Sequence, residues 1–328
     1  MGLAWGIALL APAALTWLAI ALLLRSRSAV HLTDQPNERS LHTVPTPRVG
    51  GLGVVVGALP LAAFFADPPI LVLLSCAALL ALVSLADDVR SLPIQVRLPA
   101  HVAAATVAIL AIAAPSMARP GLGAVESALA IVALVWMTNL FNFMDGSDGL
   151  AGGMATMGFG ALALGAAGAG QTALALTCAV IASASAGFLV HNFPPARAFL
   201  GDAGSVPLGF LAGALGLHGA LAGAWTLAFP ILVFSPFIAD ATVTLALRIA
   251  RGERFWRAHR GHYYQRLVIA GWPPRRLALR AYGLMALAAG SALLARTQGP
   301  EMQFGIILGW AAAYLLLFIA IERRVQRG

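Results

Sequence analysis

Eleven apolar runs constrain this chain more than any other feature. They lie at about residues 2–24, 50–66, 69–86, 98–114, 124–141, 151–168, 171–190, 204–218, 222–247, 277–295 and 303–321. A helix needs roughly 20 mostly apolar residues to cross a bilayer, and the runs suit that length. Charged residues fill only 10% of the 328 positions and hydrophobic ones 60%, whereas soluble domains carry about 25% charged residues. This set cannot make a water-facing shell. The expectation is an all-α, polytopic transmembrane helix bundle of about eleven helices, with ten as the lower count, forming a single domain over residues 1–328. Runs rich in Gly and Ala, such as 158–170 and 209–223, suit the bundle interior, where small residues let helices approach closely. Met1–Leu24 lacks a preceding basic stretch and is followed by Arg25 and Arg27. It reads as a first membrane helix rather than a signal peptide. Cys76 and Cys178 fall inside apolar runs and read as packing residues.

The basic residues set the orientation. All 21 are arginines. With the N-terminus outside, nineteen fall in inner loops and flanks, and only Arg119 and Arg296 lie outside. That asymmetry follows the positive-inside rule and places the C-terminus in the cytoplasm. It also removes nucleic-acid binding as the reason for the net charge of +8. The aspartates then fall on the same side: Asp34, Asp87, Asp88, Asp145, Asp148, Asp202 and Asp240, with only Asp67 outside. Acidic residues contribute little to orientation, so their gathering needs a different reason.

Five inner segments carry that chemistry. Leu85-Ala86-Asp87-Asp88 puts two carboxylates side by side, which repel without a nearby cation; a solvated helix end is the plain alternative. In Asn139-Leu140-Phe141-Asn142-Phe143-Met144-Asp145-Gly146-Ser147-Asp148-Gly149, three polar residues recur at every third position and share one helix face. Gly146 and Gly149 then let the chain turn. Asn and Asp oxygens suit a hard ion such as Mg2+. Phe199-Leu200-Gly201-Asp202-Ala203-Gly204-Ser205 permits close backbone approach to a phosphate or forms an ordinary helix cap. The arginine-rich loop between residues 248 and 276 contains His259-Arg260-Gly261-His262-Tyr263-Tyr264-Gln265. Asp240 precedes it, with Thr244 and Arg248 on the same face; an ionisable residue at that depth is functional by default. The first inner loop, from Asp34 through Arg39 to Gly51, holds three prolines between Asp34 and Arg48, which shape it.

Together these segments, in this order from about residue 34 to 270, resemble the polyprenyl-phosphate N-acetylhexosamine-1-phosphate transferase family. The His-Arg-Gly-His-Tyr-Tyr-Gln segment is most similar to the branch that initiates O-antigen synthesis. The resemblance implies that Asn142 and Asp202 hold Mg2+, with Mn2+ as the alternative ion. It places Asp87 and Asp88 beside the reacting phosphates and Asp145 at an acidic position of the same site. Asp148 and Phe199 lie near the nucleotide base, and His262 binds substrate. Asn139, Arg39, Arg260 and Asp240 complete the substrate-binding candidates. Where many relatives carry further histidines, this chain has Tyr263, Tyr264 and Gln265.

The implied reaction is attack of undecaprenyl (polyprenyl) phosphate on a UDP-N-acetylhexosamine, releasing UMP, at the cytoplasmic face of a bacterial inner membrane. It would initiate a lipopolysaccharide-like surface polymer. The resemblance also implies a homodimer. Within the same class, the alternative is the phospho-N-acetylmuramoyl-pentapeptide transferase of peptidoglycan synthesis. The alternative of another class is a nucleotide-sugar or lipid-phosphate transporter, which would carry its charges at mid-membrane and often show repeated halves.

Overall fold

A computed structural model describes residues 2–26, 28–36, 40–113, 121–254 and 259–326. Helices dominate. In chain order they are α1 (Gly2–Leu24), α2 (Ser28–His31), α3 (Gly50–Phe65), α4 (Pro68–Arg90), α5 (Ile94–Ile112), α6 (Ala124–Phe143), α7 (Leu150–Gly168), α8 (Thr172–Asn192), α9 (Asp202–Leu221), α10 (Ala228–Val233), α11 (Ser235–Ala250), α12 (Tyr263–Ile269), α13 (Pro274–Ala295) and α14 (Pro300–Val325). Among the described residues, nine helices are long and apolar enough to cross a bilayer. The 16-residue α3 and the α10–α11 pair occupy the two remaining apolar runs.

One predicted run is corrected. Residues 222–247 do not form a single helix. The chain passes from α10 to α11 at Phe234, and Pro236 sits in the first turn of α11. A proline there has no N–H to donate to the preceding turn and clashes with the carbonyl four residues back, so it starts a helix and breaks a continuous one. Elsewhere the ends follow local chemistry. Asp67 caps α4 by accepting from the Ile70 N–H at 3.0 Å, with proline next in the first turn. Gly299 precedes Pro300 at the start of α14.

The Gly- and Ala-rich helices take the centre. α8 packs against α1, α3 and α7, and α9 packs against α4 and α6. Phe141, Phe159, Phe188, Phe210, Phe234 and Phe237 are fully buried among them. Large apolar side chains such as Leu10, Leu22, Leu110, Leu164, Leu294 and Leu316 point outward. That inverted surface is stable only against lipid.

The alternating helices bring the C-terminal ends of α4, α6 and α8 to the same end of the bundle as the N-terminal ends of α5, α7 and α9. A short ribbon closes this end. β1 (Thr33–Asp34) pairs antiparallel with β2 (Thr46–Pro47), Asp34 opposite Thr46. The segment before α9 is stitched to it: Phe199 N–H donates to the Pro47 carbonyl at 2.9 Å, and the Gly50 N–H donates to the Phe199 carbonyl at 2.8 Å.

Candidate active site

A cavity of about 320 Å3 opens at this end, walled by Asp34, His42, Arg48, Asn142, Asp145, Asp148, Asn192, Phe199, Asp202 and Gln265 among others. It draws on the first loop, the α6–α7 turn, the α8–α9 loop and α12. Four of the predicted site segments therefore converge on one space.

The α6–α7 turn presents the acidic side chains. α6 ends at Phe143, so Asp145 lies beyond the helix. Each step of three residues rotates about 300° around a helix, and the expected shared face drifts. Asn139 turns toward α5 instead: its Nδ2 donates to the Val135 carbonyl at 2.7 Å and lies 3.3 Å from His101 Nδ1. It does not line the cavity, whereas Asn142 and Asp145 do. Gly149 has φ +77°, a left-handed conformation that favours glycine, and starts α7. Its N–H donates to Asn192 Oδ1 at 2.8 Å. Asn192 Nδ2 in turn donates to the Ala198 carbonyl at 3.0 Å, tying the turn to the segment before α9. Asp148 accepts from the Ala196 N–H at 2.9 Å across the same gap. Phe199 faces His42 edge-on at 4.8 Å.

Asp87 and Asp88 diverge and stand behind the cavity wall. Asp87 accepts from the Leu92 N–H at 2.6 Å and from Arg97 at 2.7 Å. Asp88 crosses to the start of α9. Its two carboxylate oxygens accept from the Asp202 and Ala203 N–H groups at 3.3 and 3.0 Å, and Arg48 lies 3.5 Å from one of them. A carboxylate at a helix N-terminus satisfies orphan donors and complements the dipole. Gly201, at φ +70°, makes room: a Cβ there would sit 3.0 Å from Asp88 Oδ2. Arg48 also pairs with Asp34, and Arg97 lies 3.8 Å from Asp202.

Asp202 and Asn142 both face the cavity. Burial first, then the charges of Asp202 and Asp88, hold the Asp145 carboxyl well above the usual carboxylate range. Burial also raises Asp148, partly offset by the Ala196 N–H. Among the described residues no three His, Cys, Asp or Glu side chains gather to hold a metal unaided. Mg2+ does not need such a cage, because it is usually bound by one or two carboxylates together with substrate phosphates and waters. Asp202 and the Asn142 amide oxygen, beside an under-compensated Asp145, fit that pattern.

Asp240 and His262 occupy a different place from the cavity wall. Asp240 is buried, and both oxygens are engaged. One accepts from the Tyr263 N–H at 3.0 Å and Thr244 Oγ1 at 3.1 Å and lies 3.3 Å from His262 Nδ1; the other accepts from the Tyr264 N–H at 3.0 Å. It caps α12 and orients the histidine segment. The His262 N–H donates to Gln265 Oε1 at 3.2 Å. His259 stacks on His262 at 4.9 Å. Burial, then His262 and Arg248, push the His259 pKa down to about 4, so it is neutral at pH 7. Arg260 is exposed on the surface of this loop. Arg39 lies outside the described residues.

Several residues of the site were not among the sequence candidates. Arg48 and Arg97 were absorbed in the orientation signal. Asn192 is marked in the sequence by standing at the polar end of an apolar run before Pro194 and Pro195. Tyr264 donates its hydroxyl proton to the Phe143 carbonyl at 2.9 Å and accepts from the Gly146 N–H at 3.1 Å. It thereby fastens the turn that carries Asn142 and Asp145.

The chain is similar to known bacterial proteins in this region and beyond it. The sequence model of glycosyl transferase family 4 matches residues 70–220. A probable undecaprenyl-phosphate N-acetylglucosaminyl 1-phosphate transferase of Bacillus subtilis is 28% identical over 76% of this chain and 73% of its own length. An undecaprenyl-phosphate alpha-N-acetylglucosaminyl 1-phosphate transferase of Yersinia pestis is 29% identical over 91% of this chain and 85% of its own. A phospho-N-acetylmuramoyl-pentapeptide-transferase of a Picosynechococcus species is 30% identical over 79% and 76%.

Proposed function

We propose, for a chain that belongs to the polyprenyl-phosphate N-acetylhexosamine-1-phosphate transferases of glycosyl transferase family 4, that it moves N-acetylglucosamine 1-phosphate from a UDP-sugar to undecaprenyl phosphate. The observation that carries this reading is the cavity itself. It sets Asn142, Asp145 and Asp202 against Arg48 at the end of an apolar bundle. A nucleotide sugar reaches such a site from water, while a lipid phosphate reaches it from the bilayer. The arginine asymmetry supports a cytoplasmic orientation. The names of the Bacillus and Yersinia relatives support the choice of sugar and lipid.

In this reading a phosphate oxygen of the lipid attacks the β-phosphorus of the UDP-sugar. A new P–O bond forms, and the bond from the β-phosphorus to the bridging oxygen breaks. UMP leaves with that oxygen and its electron pair. A phosphate monoester has a second pKa near about 6, so the nucleophile is already mostly a dianion at neutral pH and needs no general base. Repulsion between the anions is the larger barrier. Asn142 and Asp202 would hold Mg2+, which when bound supplies charge stabilisation to the phosphates and to the leaving group. Arg48 offers the cavity a fixed cation. Asp87 and Asp88 are engaged by arginines and backbone N–H groups, which suits positioning better than proton abstraction.

The peptidoglycan-precursor reading rests on the Picosynechococcus relative. One experiment separates the two. Membranes containing the protein receive undecaprenyl phosphate, Mg2+ and a panel of UDP-sugars, including the muramoyl-pentapeptide, and UMP release is measured. UMP with UDP-N-acetylglucosamine supports the proposal. UMP only with the pentapeptide substrate transfers the chain to the other reading, and no UMP from folded protein with any donor refutes both.

A further inference from the structure

Three consecutive residues of α12 reach three different parts of the molecule. Tyr263 meets α14, Tyr264 fastens the α6–α7 turn, and Gln265 lines the cavity. The contact with α14 is the most heavily built. The Tyr263 ring stacks on Phe318 with centroids 4.1 Å apart and planes 16° apart. Glu322, one helical turn after Phe318, lies on the same face of α14. Glu322 also accepts from both terminal nitrogens of Arg266, the second at 2.6 Å. This fork-to-fork geometry fixes orientation as well as charge.

α12 is a seven-residue helix, too short to hold itself in water. Its position comes from what ties it. Asp240 ties its first turn, and Glu322 ties the side facing away from the cavity. α14 supplies no side chain to the cavity wall. We propose that Glu322 is a positioning residue for the sugar-nucleotide site: by clamping Arg266, beside the Tyr263–Phe318 stack, it sets α12, and through Tyr264 and Gln265 it sets the shape of the cavity. The last membrane helix thus acts on substrate fit without touching substrate. A partly exposed ion pair contributes little to global stability. A binding site, in contrast, must be held within about 0.5 Å. Loss of the clamp should therefore appear in substrate fit before it appears in folding.

The inference rests on the transferase reading, and its test keeps the two apart. Steady-state kinetics on the purified full-length protein would compare wild type, Glu322→Gln, Glu322→Asp, Arg266→Glu and the charge-swapped Arg266→Glu/Glu322→Arg. Glu322→Gln and Arg266→Glu should raise KM for the UDP-sugar roughly fivefold, with KM for undecaprenyl phosphate and kcat within about twofold. Glu322→Asp should fall between, and the double swap should recover the wild-type KM. Should Arg266→Glu fail to fold, the Gln and Asp variants carry the comparison alone. Unmoved KM values in an active, folded protein would overturn the inference. So would equal rises for both substrates, or loss that follows melting temperature and is not recovered in the swap. A wild type inactive with every donor would instead strike the transferase reading.

Discussion

At the scale of single residues, the site depends on what each carboxylate faces. Asp202 shares its end of the cavity with Asn142, and Asp88 holds the N–H groups of Asp202 and Ala203. Asp202→Asn should abolish Mg2+-dependent turnover in a protein that still folds; near-normal activity would remove Asp202 from the metal. Asp88→Ala leaves Asp202 in place but releases its helix end. Residues supporting a metal ligand typically affect affinity or activity by about 10–100-fold. The Mg2+ concentration for half-maximal turnover should rise within that range, and an unchanged Mg2+ requirement would contradict the capping role.

Asp145 gives a prediction with a sign. Its raised carboxyl keeps a proton that the unfolded chain has lost. Stability of the metal-free protein should therefore fall as pH rises from about 4 through the raised pKa. Asp145→Asn lacks that loss. Melting curves of the two proteins should converge at acid pH and separate toward about pH 8, the variant being the more stable there; parallel curves would count against it. The aspartates were legible in sequence because seven of them gather where topology does not require it. Their partners were not, because Arg48 and Arg97 carry the same letter as arginines that only set orientation.

At the scale of elements, α12 shows how a loop motif becomes a part of the machine. Its N-terminus is capped by Asp240 from α11 as well as by Gln265 of its own chain. Asp240→Ala would leave two buried N–H groups unpaired, at a cost of about 1–3 kcal/mol each. We expect a lower melting temperature together with reduced turnover. Tyr264→Phe removes the hydroxyl that bridges Phe143 and Gly146, and should reduce turnover with little change in melting temperature. Depth in an apolar run marked Asp240 as important, but its acceptor role appears only when residues 240 and 263 are brought together. The break between α10 and α11 was written in Pro230 and Pro236, and run length alone smoothed over it. Asn139, predicted on the face of Asn142, shows the limit of spacing: at 3.6 residues per turn a three-residue repeat leaves the face it starts on.

At the scale of the whole molecule, the apolar runs determine a bundle, and its alternating helices bring the seven inner aspartates to one end. That much follows from hydropathy and the positive-inside rule. The orientation can be checked directly. Cys76 and Cys178 are buried, so a single Arg260→Cys variant should be labelled by a membrane-impermeant thiol reagent in inside-out vesicles and not in intact cells; labelling in intact cells would invert the topology. In the proposed reaction a sugar and its phosphate move together onto the lipid. This is tested most directly with UDP-N-acetylglucosamine carrying one label in the sugar and another in the β-phosphate, offered with undecaprenyl phosphate and Mg2+. Both labels should enter the lipid extract while UMP stays in water. Sugar label in the lipid with the β-phosphate label left in water as UDP would contradict it.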